Sequence, residues 1–221
     1  MTTPKLGVLQ LQTTFPRPPG DVSNPASWPF PITVGVVKEA TATNVVGGTW
    51  GPELIDAFVR EAERLQGEGC VALVTSCGFL ATMHPQLSAR VPFIGTSALL
   101  QVAWLQNTFY PGQQHAVGVM TFKRSALHLV SVGAGPDTPV VGMPEDDDPA
   151  AAVFRAVLDE RVPSAKALVA ANPGLKAIVL ECTNMPPFAH AVAKATGLRV
   201  WDIITLGKWL YNAAVKEDYR S

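Results

Sequence analysis

The two halves of this chain share a pair of matching apolar runs, and in each half a cysteine follows the second run of the pair. Residues 7–9 (Gly-Val-Leu) match residues 118–120 (Gly-Val-Met), and residues 72–77 match residues 177–182. The glycine and the cysteine are 70 residues apart in the first half and 64 in the second. A repeat of this kind predicts two copies of one structural unit in 221 residues.

Short apolar runs alternate with segments of helical period throughout the chain. Residues 70–75 are almost continuously apolar, as strands buried on both faces are, and residues 52–66 place apolar side chains three and four positions apart. The predicted strands are 5–11, 70–75, 91–95, 116–120, 138–143, 175–180 and 198–201, and the predicted helices are 52–66, 78–90, 97–107, 125–132, 149–171, 183–196 and 205–216.

This alternation predicts an α/β fold of two pseudo-symmetric, doubly wound lobes with short parallel sheets. We expect residues 1–100 and 206–221 to form the first lobe and residues 101–205 the second. The active site is expected in the cleft between them.

One segment departs from the repeat. Residues 15–31 contain six prolines, which exclude a helix or a central strand, so a rigid loop is predicted at the carboxyl end of the first strand. Ligands bind at that edge of open α/β sheets. A ligand-binding loop and a packing or dimer-contact loop that uses Trp28 both remain open.

Composition excludes several classes of protein. Hydrophobic residues make up 48% of the chain and charged residues 16%, which excludes a disordered chain, and the net charge of −1 does not favour nucleic acid or a membrane as a partner. Three cysteines do not make a disulfide framework, and no secretory signal or membrane-spanning run is recognised. We therefore expect a cytoplasmic protein with free thiols and a small-molecule substrate, and we expect a homo-oligomer.

Cys77 and Cys182 occupy equivalent places, each after a buried strand and before a helix. Helix N–H groups favour a thiolate, and two thiols facing each other across a cleft can remove a proton from one face of a carbon and return it to the other. Two other interpretations remain open for the pair: a purely hydrophobic role or a disulfide. Cys70 begins a buried strand without a cysteine at the equivalent Leu175, so it is predicted to be a core residue.

Four segments resemble the aspartate/glutamate/hydantoin racemase superfamily over essentially the whole chain. They are Leu-Gly-Val-Leu at 6–9, Thr-Ser-Cys-Gly-Phe at 75–79, Gly-Val-Met-Thr at 118–121 and Leu-Glu-Cys-Thr-Asn at 180–184. The resemblance implies two pseudo-symmetric α/β lobes and catalysis without a cofactor, with Cys77 and Cys182 as opposed acid and base. It therefore predicts a racemase or epimerase that inverts a carbon acid such as an amino acid, a hydantoin or a related small carboxylate.

The chain differs from the amino-acid racemases of this superfamily beside both cysteines. Gly78 and Phe79 stand where those enzymes usually have Asn-Thr, and Asn184 stands where they often have histidine. These changes favour a less polar acid over an acidic amino acid. A cysteine-dependent cis–trans isomerase or decarboxylase of the same superfamily remains an alternative, although two cysteines argue against its single-cysteine decarboxylases. A non-catalytic binding protein for a small acid is the third possibility.

The remaining candidate substrate contacts are polar side chains near the two cysteines. Each has an alternative role in helix capping or in an exposed loop. The substrate-binding candidates are Gln10, Gln12, Ser76, Gly78, Phe79, Thr121, Thr183 and Asn184. Glu181 is expected to point away or to pair with a lysine, because a carboxylate beside a thiol hinders thiolate formation. The four histidines lack metal-ligand spacing, so no metal site is predicted.

Overall fold

The computed structural model describes residues 3–143 and 161–216, which form two four-stranded parallel sheets covered by helices. The strands are β1 (Lys5–Leu11), β2 (Ile32–Val37), β3 (Cys70–Thr75), β4 (Ile94–Gly95), β5 (Val117–Thr121), β6 (Val140–Gly142), β7 (Ala177–Leu180) and β8 (Arg199–Trp201). The helices are α1 (Ala42–Val46), α2 (Pro52–Gly67), α3 (His84–Arg90), α4 (Leu100–Phe109), α5 (Arg161–Ala171), α6 (Ala189–Thr196) and α7 (Ile203–Ala214).

The two sheets have the same topology. Their strand orders are β2-β1-β3-β4 and β6-β5-β7-β8. A Cβ on Gly7 would lie 2.3 Å from the side chain of Leu73, and one on Gly118 would lie 2.9 Å from the side chain of Leu175. The glycine of each repeat therefore permits the same close packing. The predicted α/β fold of two similar sheets is confirmed.

Both faces of each sheet are buried, but the covering helices are exchanged between the sheets. Helices α2 and α5 cover the sheets of their own halves. Helix α4 follows the first sheet and packs on the second, with Val102 and Leu105 in the same cluster as Val117 and Val119. Helix α7 follows the second sheet and packs on the first.

A hydrogen-bonded junction joins the beginnings of the two exchanged helices. The Gln101 side chain donates to the backbone carbonyl of Asp202 at 2.9 Å, and the hydroxyl of Thr205 donates to Gln101 Oε1 at 3.0 Å. Asp202 caps α7 by accepting from the Thr205 N–H at 2.8 Å. The lobe boundaries predicted above remain a prediction.

Several predicted elements differ from the structure. Strand β2 and helix α1 were not predicted. The predicted helix 125–132 is instead two short 3-10 turns, Arg124–Ala126 and Val130–Val132, and the segment directly after Cys182 is not helical until the 3-10 turn Pro186–Phe188. Of the predicted helix 149–171, the part before residue 161 lies outside the described residues. Among the described helices, none has the length and apolarity to cross a bilayer.

Candidate active site

A cavity lies where the carboxyl ends of β1, β3 and β7 meet the loops that follow them. It encloses about 550 Å³ of empty space, a volume that includes solvent at its open mouth. Its wall contains the predicted residues Ser76, Cys77, Gly78, Phe79, Cys182, Thr183 and Asn184, together with Leu11, Thr13, Phe15, Arg17, Ala42, Val46, Phe122 and Glu181.

The two repeated cysteines both line this cavity as free thiols that are partly exposed. Cys77 follows β3, and the backbone N–H groups of Phe79 and Leu80, at the start of the 3-10 turn Gly78–Met83, act to lower the pKa of its thiol. The N–H of Asn184 acts in the same way on the thiol of Cys182. The structure thus brings the thiols together as the repeat predicts; their catalytic role remains a prediction. Cys70 is buried in the core, as predicted.

Both thiols are protonated at neutral pH in the unliganded cavity. Burial, with a smaller effect of the nearby Glu181 carboxylate, raises the pKa of Cys77 to about 12 and that of Cys182 well above its usual value. The backbone N–H groups act in the opposite direction but are outweighed. The backbone N–H groups therefore favour the thiolates as the sequence predicts, but burial determines the net direction of both pKa shifts.

The expectation that Glu181 points away from the thiols or pairs with a lysine is wrong for the described residues. Its side chain is fully buried at the cavity, where Oε2 accepts a hydrogen bond from the hydroxyl of Thr121 at 2.8 Å and one from the N–H of Phe122 at 3.4 Å. Burial raises the pKa of Glu181 to about 7. Its close approach requires Gly78, because a Cβ there would lie 2.1 Å from Glu181 Oε1 and 2.3 Å from its carbonyl oxygen.

Two predicted substrate donors already donate their hydroxyl hydrogens to groups of the protein. The hydroxyl of Thr183 donates to the backbone carbonyl of Ser76 at 2.6 Å, and that of Thr121 donates to Glu181 and does not line the cavity. The hydroxyl oxygen of Ser76 accepts from the Leu11 N–H at 3.0 Å. The Thr183–Ser76 bond joins the two cysteine loops directly.

The first strand presents the opposite side chain from the one predicted. Leu11 lines the cavity, whereas Gln10 is not part of the wall and Gln12 is exposed. Side chains alternate along a strand. The prediction chose the face of Gln10 and Gln12, whereas the face of Leu11 is the one toward the cavity. Asn184 does line the cavity, and its side-chain oxygen has no hydrogen-bond partner among the described residues.

Sequence reasoning missed Arg17, the one cation in the described wall of the cavity. Its guanidinium donates to Thr13 Oγ1 at 2.7 Å, forms an ion pair with the buried Asp21 at 3.2 Å and lies 4.4 Å from the ring centre of Phe15. Its side chain keeps 14% of its surface exposed. The available signal was an arginine in the proline-rich loop at the ligand-binding edge of the sheet.

The proline-rich loop lines the cavity and also packs in the core. Phe15 and Arg17 face the cavity, while Trp28 is buried against α7, where its indole N–H donates to the carbonyl of Val22 at 2.8 Å. Trp28 is therefore not available as a dimer contact. Phe122, from the loop after β5, was also missed. Among the described residues, no group of three or more His, Cys, Asp or Glu side chains is arranged to hold a metal ion.

Comparisons with curated proteins give one consistent group of relatives. Dimethylsulfoniopropionate lyase 5 of Emiliania huxleyi (strain CCMP1516) is 30% identical over an aligned length of 237 residues. The alignment covers 96% of this chain and 46% of that protein. The dimethylsulfoniopropionate lyase of Durusdinium sp. clade D is 32% identical over 222 residues, covering 90% of this chain and 71% of that protein. This chain therefore spans about half the length of the first relative. No protein-family model matches it.

Solved structures share the fold at low sequence identity. Unliganded arylmalonate decarboxylase has a TM-score of 0.61 at 16% identity, covering 98% of this chain and 94% of its own. Allantoin racemase from Klebsiella pneumoniae has a TM-score of 0.61 at 13% identity, covering 96% and 87%. The predicted fold of the aspartate/glutamate/hydantoin racemase superfamily is confirmed, and the fold alone does not distinguish a racemase from a decarboxylase.

Proposed function

This chain belongs to the dimethylsulfoniopropionate lyase family, and from that premise we propose that it is a lyase that releases dimethyl sulfide from dimethylsulfoniopropionate or a closely related sulfonium acid. The observation that carries the proposal is the composition of one cavity wall. Two thiols, one arginine and three phenylalanines surround a space suited to a small molecule. In this proposal a thiol removes the substrate's proton, the arginine binds its carboxylate, and the phenylalanines surround its sulfonium group.

Arg17 is the proposed binding residue for the substrate carboxylate. Guanidinium N–H groups form paired hydrogen bonds with carboxylates, and the contacts with Asp21 and Thr13 fix the orientation of this one. Binding the carboxylate also stabilises the negative charge that develops when a proton leaves the adjacent carbon. Arg17 thus serves both binding and the chemical step.

The phenylalanine side chains are the proposed site for the sulfonium group. Phe15, Phe79 and Phe122 line the cavity, and aromatic faces attract cations that are poorly hydrated. A dimethylsulfonium presents methyl groups that pack on apolar walls while its charge faces the rings. The apolar change at Gly78-Phe79, noted in the sequence, fits this end of the substrate.

The proposed chemical step needs one base and no added acid. A thiolate of the Cys77–Cys182 pair removes a proton from the carbon beside the carboxylate; the electrons of that C–H bond form the double bond, and the C–S bond breaks. The products are dimethyl sulfide, acrylate and a protonated thiol, which returns its proton to solvent. The positive charge of the bound sulfonium lowers the free-energy cost of forming the thiolate from a thiol whose pKa burial has raised.

The two sides of the cavity differ in ways that favour elimination over inversion. At equivalent positions of the repeat, Ser76 corresponds to Glu181, and Gly78-Phe79 corresponds to Thr183-Asn184. Inverting a carbon requires an effective acid/base group on each face, whereas elimination of a neutral sulfide requires one base. Two-thiol racemisation of a carbon acid is the second candidate, favoured by the presence of both thiols in the cavity.

Dimethylsulfoniopropionate turnover by the purified protein tests the proposal. We expect equal amounts of dimethyl sulfide, measured by headspace gas chromatography, and acrylate, measured by proton NMR. Elimination needs only one thiol as base, whereas racemisation needs both. For elimination, at least one of Cys77→Ser and Cys182→Ser should lower kcat by about 100-fold or more, in the range of general-base catalysis. Arg17→Gln should raise KM and lower kcat.

The racemase alternative has its own readout in D2O. Loss of the Cα–H NMR signal from an amino acid or hydantoin, with loss of that exchange in both cysteine variants and no dimethyl sulfide from the sulfonium acid, would replace the lyase proposal by the racemase one.

A further inference from the structure

Glu181 is a buried carboxylate with one oxygen unsatisfied at the wall of the cavity. Its side chain has no exposed surface, and Oε1 has no hydrogen-bond partner among the described residues, although Oε2 has two donors. Buried carboxylates usually have a cation or a full set of hydrogen bonds. Such a group beside a ligand cavity therefore points to a ligand that supplies the missing positive charge.

The described part of the protein does not supply that charge. No ion pair joins Glu181 to a cationic side chain in the described part of the chain, and the cation of the wall, Arg17, is paired with Asp21. The titratable groups that interact with Glu181 are the thiols Cys77 and Cys182; of the Arg17–Asp21 pair in the proline-rich loop, Arg17 acts on Cys77 and Asp21 on Cys182. Both thiols are neutral at pH 7 because their pKa values are raised.

Apolar walls make the charge of Glu181 effective across the cavity. Electrostatic attraction is strong where water is excluded, and the aromatic rings that line the space attract the same sign of charge. Since Glu181 has no exposed surface, its attraction acts through space from beneath the wall rather than by direct contact. This arrangement suits a cation that carries methyl groups in place of N–H donors.

We propose that Glu181 makes the cavity selective for small acids that carry a permanent positive charge, sulfonium or quaternary ammonium, over uncharged acids of the same shape. The inference rests on the proposed function for placing the ligand carboxylate at Arg17. It extends that function by assigning the discrimination of charge to one residue. The equivalent position in the first repeat is Ser76, so the selectivity comes from one side of the cavity.

A pair of ligands that differ in one atom tests this selectivity. In 3-(trimethylammonio)propionate a quaternary nitrogen occupies the place of the quaternary carbon of 4,4-dimethylpentanoate. By calorimetry at pH 8, we expect the wild-type protein to bind the cationic acid about tenfold or more tightly than the uncharged one. Glu181→Gln should reduce this preference to about threefold or less, while the surface variant Glu63→Gln retains it. A full preference in Glu181→Gln would overturn the inference.

A measurement on the wild-type protein keeps the test independent of the variant's folding. A bound cation favours the ionised form of Glu181, so binding at pH 7 should release about half a proton per ligand, measured from binding enthalpies in two buffers of different ionisation enthalpy. The uncharged acid should release none. Equal proton release by the two ligands would contradict the inference.

Failure of the proposed function gives a different result from failure of this inference. Selective binding of the cationic acid without acrylate formation from dimethylsulfoniopropionate would contradict the lyase activity and leave the role of Glu181 supported. Acrylate formation with unchanged cation preference in Glu181→Gln would do the reverse.

Discussion

Glu181 makes the stability of the folded chain depend on pH in an unusual direction. Burial raises its pKa from the ordinary value of 4.5 to about 7. Between these values the folded protein retains a proton that the unfolded chain has lost, so the free energy of unfolding falls as pH rises through this window. Glu181→Gln should remove the effect. At pH 8 the variant should be more stable than the wild type by on the order of 3 kcal/mol.

Urea denaturation at pH 5 and pH 8 measures this difference. At pH 5 the buried carboxyl is protonated, and the two proteins should have similar stability. The exposed Glu63 provides the control, since Glu63→Gln retains Glu181 and should keep the pH dependence of the wild-type protein. Equal stability of wild type and Glu181→Gln at pH 8 would mean that Glu181 is not ionised at a cost in the folded state.

At the residue scale, the sequence predicts the thiols better than their surroundings. Cys77 and Cys182 could be placed because each follows a strand in a visible repeat. The orientation of Glu181 could not, because it depends on the missing Cβ of Gly78, more than 100 residues away in the chain. Arg17 was missed because its place in the cavity depends on the path of an irregular loop.

At the element scale, the 3-10 turn after Cys77 depends on a glycine that is not required for a turn. Gly78 has no positive φ, but a Cβ there would lie 2.3 Å from the backbone oxygen of Glu181, which cannot move away as a flexible side chain can. Gly78→Ala should therefore displace one cysteine loop from the other and lower both stability and turnover. Loss of stability by about 1–3 kcal/mol is expected, as for overpacking of a core.

Gly67→Ala is the matched control for this substitution. Gly67 ends α2, and a Cβ there would have no heavy atom within 4 Å. Alanine favours helix over glycine, so this variant should be neutral or slightly more stable and keep full activity. Thermal unfolding and acrylate production of the two variants make the comparison. Wild-type behaviour of Gly78→Ala would show that the loops tolerate the added carbon.

Elements with a strong local pattern were predictable, and those set by tertiary contacts were not. The helix 52–66 has an apolar stripe of helical period, and the structure has it at Pro52–Gly67. Strand β2 is a short β-branched run that follows directly on the proline-rich loop, and it was overlooked although its counterpart, β6, was predicted. Residues 125–132 have apolar spacing that suits a helix, yet they form turns that pack beneath neighbouring elements.

At the scale of the whole molecule, exchange of α4 and α7 makes the two halves depend on each other. Each sheet has one face covered by a helix from the other half's connection. Fragments 1–112 and 113–221 should each lack stable tertiary structure when expressed alone, because the second fragment lacks α4 and the first lacks α7. Mixing them should restore near-ultraviolet circular dichroism and turnover. A fragment that folds cooperatively alone would contradict this dependence.

The repeat in the sequence predicted two similar units, because buried parallel strands and glycines leave a recognisable pattern. It did not determine how the units meet. The Thr183–Ser76 bond and the junction of Gln101 with Asp202 and Thr205 join residues about 100 positions apart, and no local pattern predicts such pairs.

The unequal pair Ser76 and Glu181 has a consequence for how such a site can evolve. If the two halves had been identical subunits of a symmetric dimer, any change beside one thiol would also have appeared beside the other. Within one fused chain, a single mutation alters one side alone. A buried carboxylate next to one cysteine and a hydroxyl next to the other can arise in a duplicated and fused gene. It cannot arise in a symmetric dimer of identical subunits.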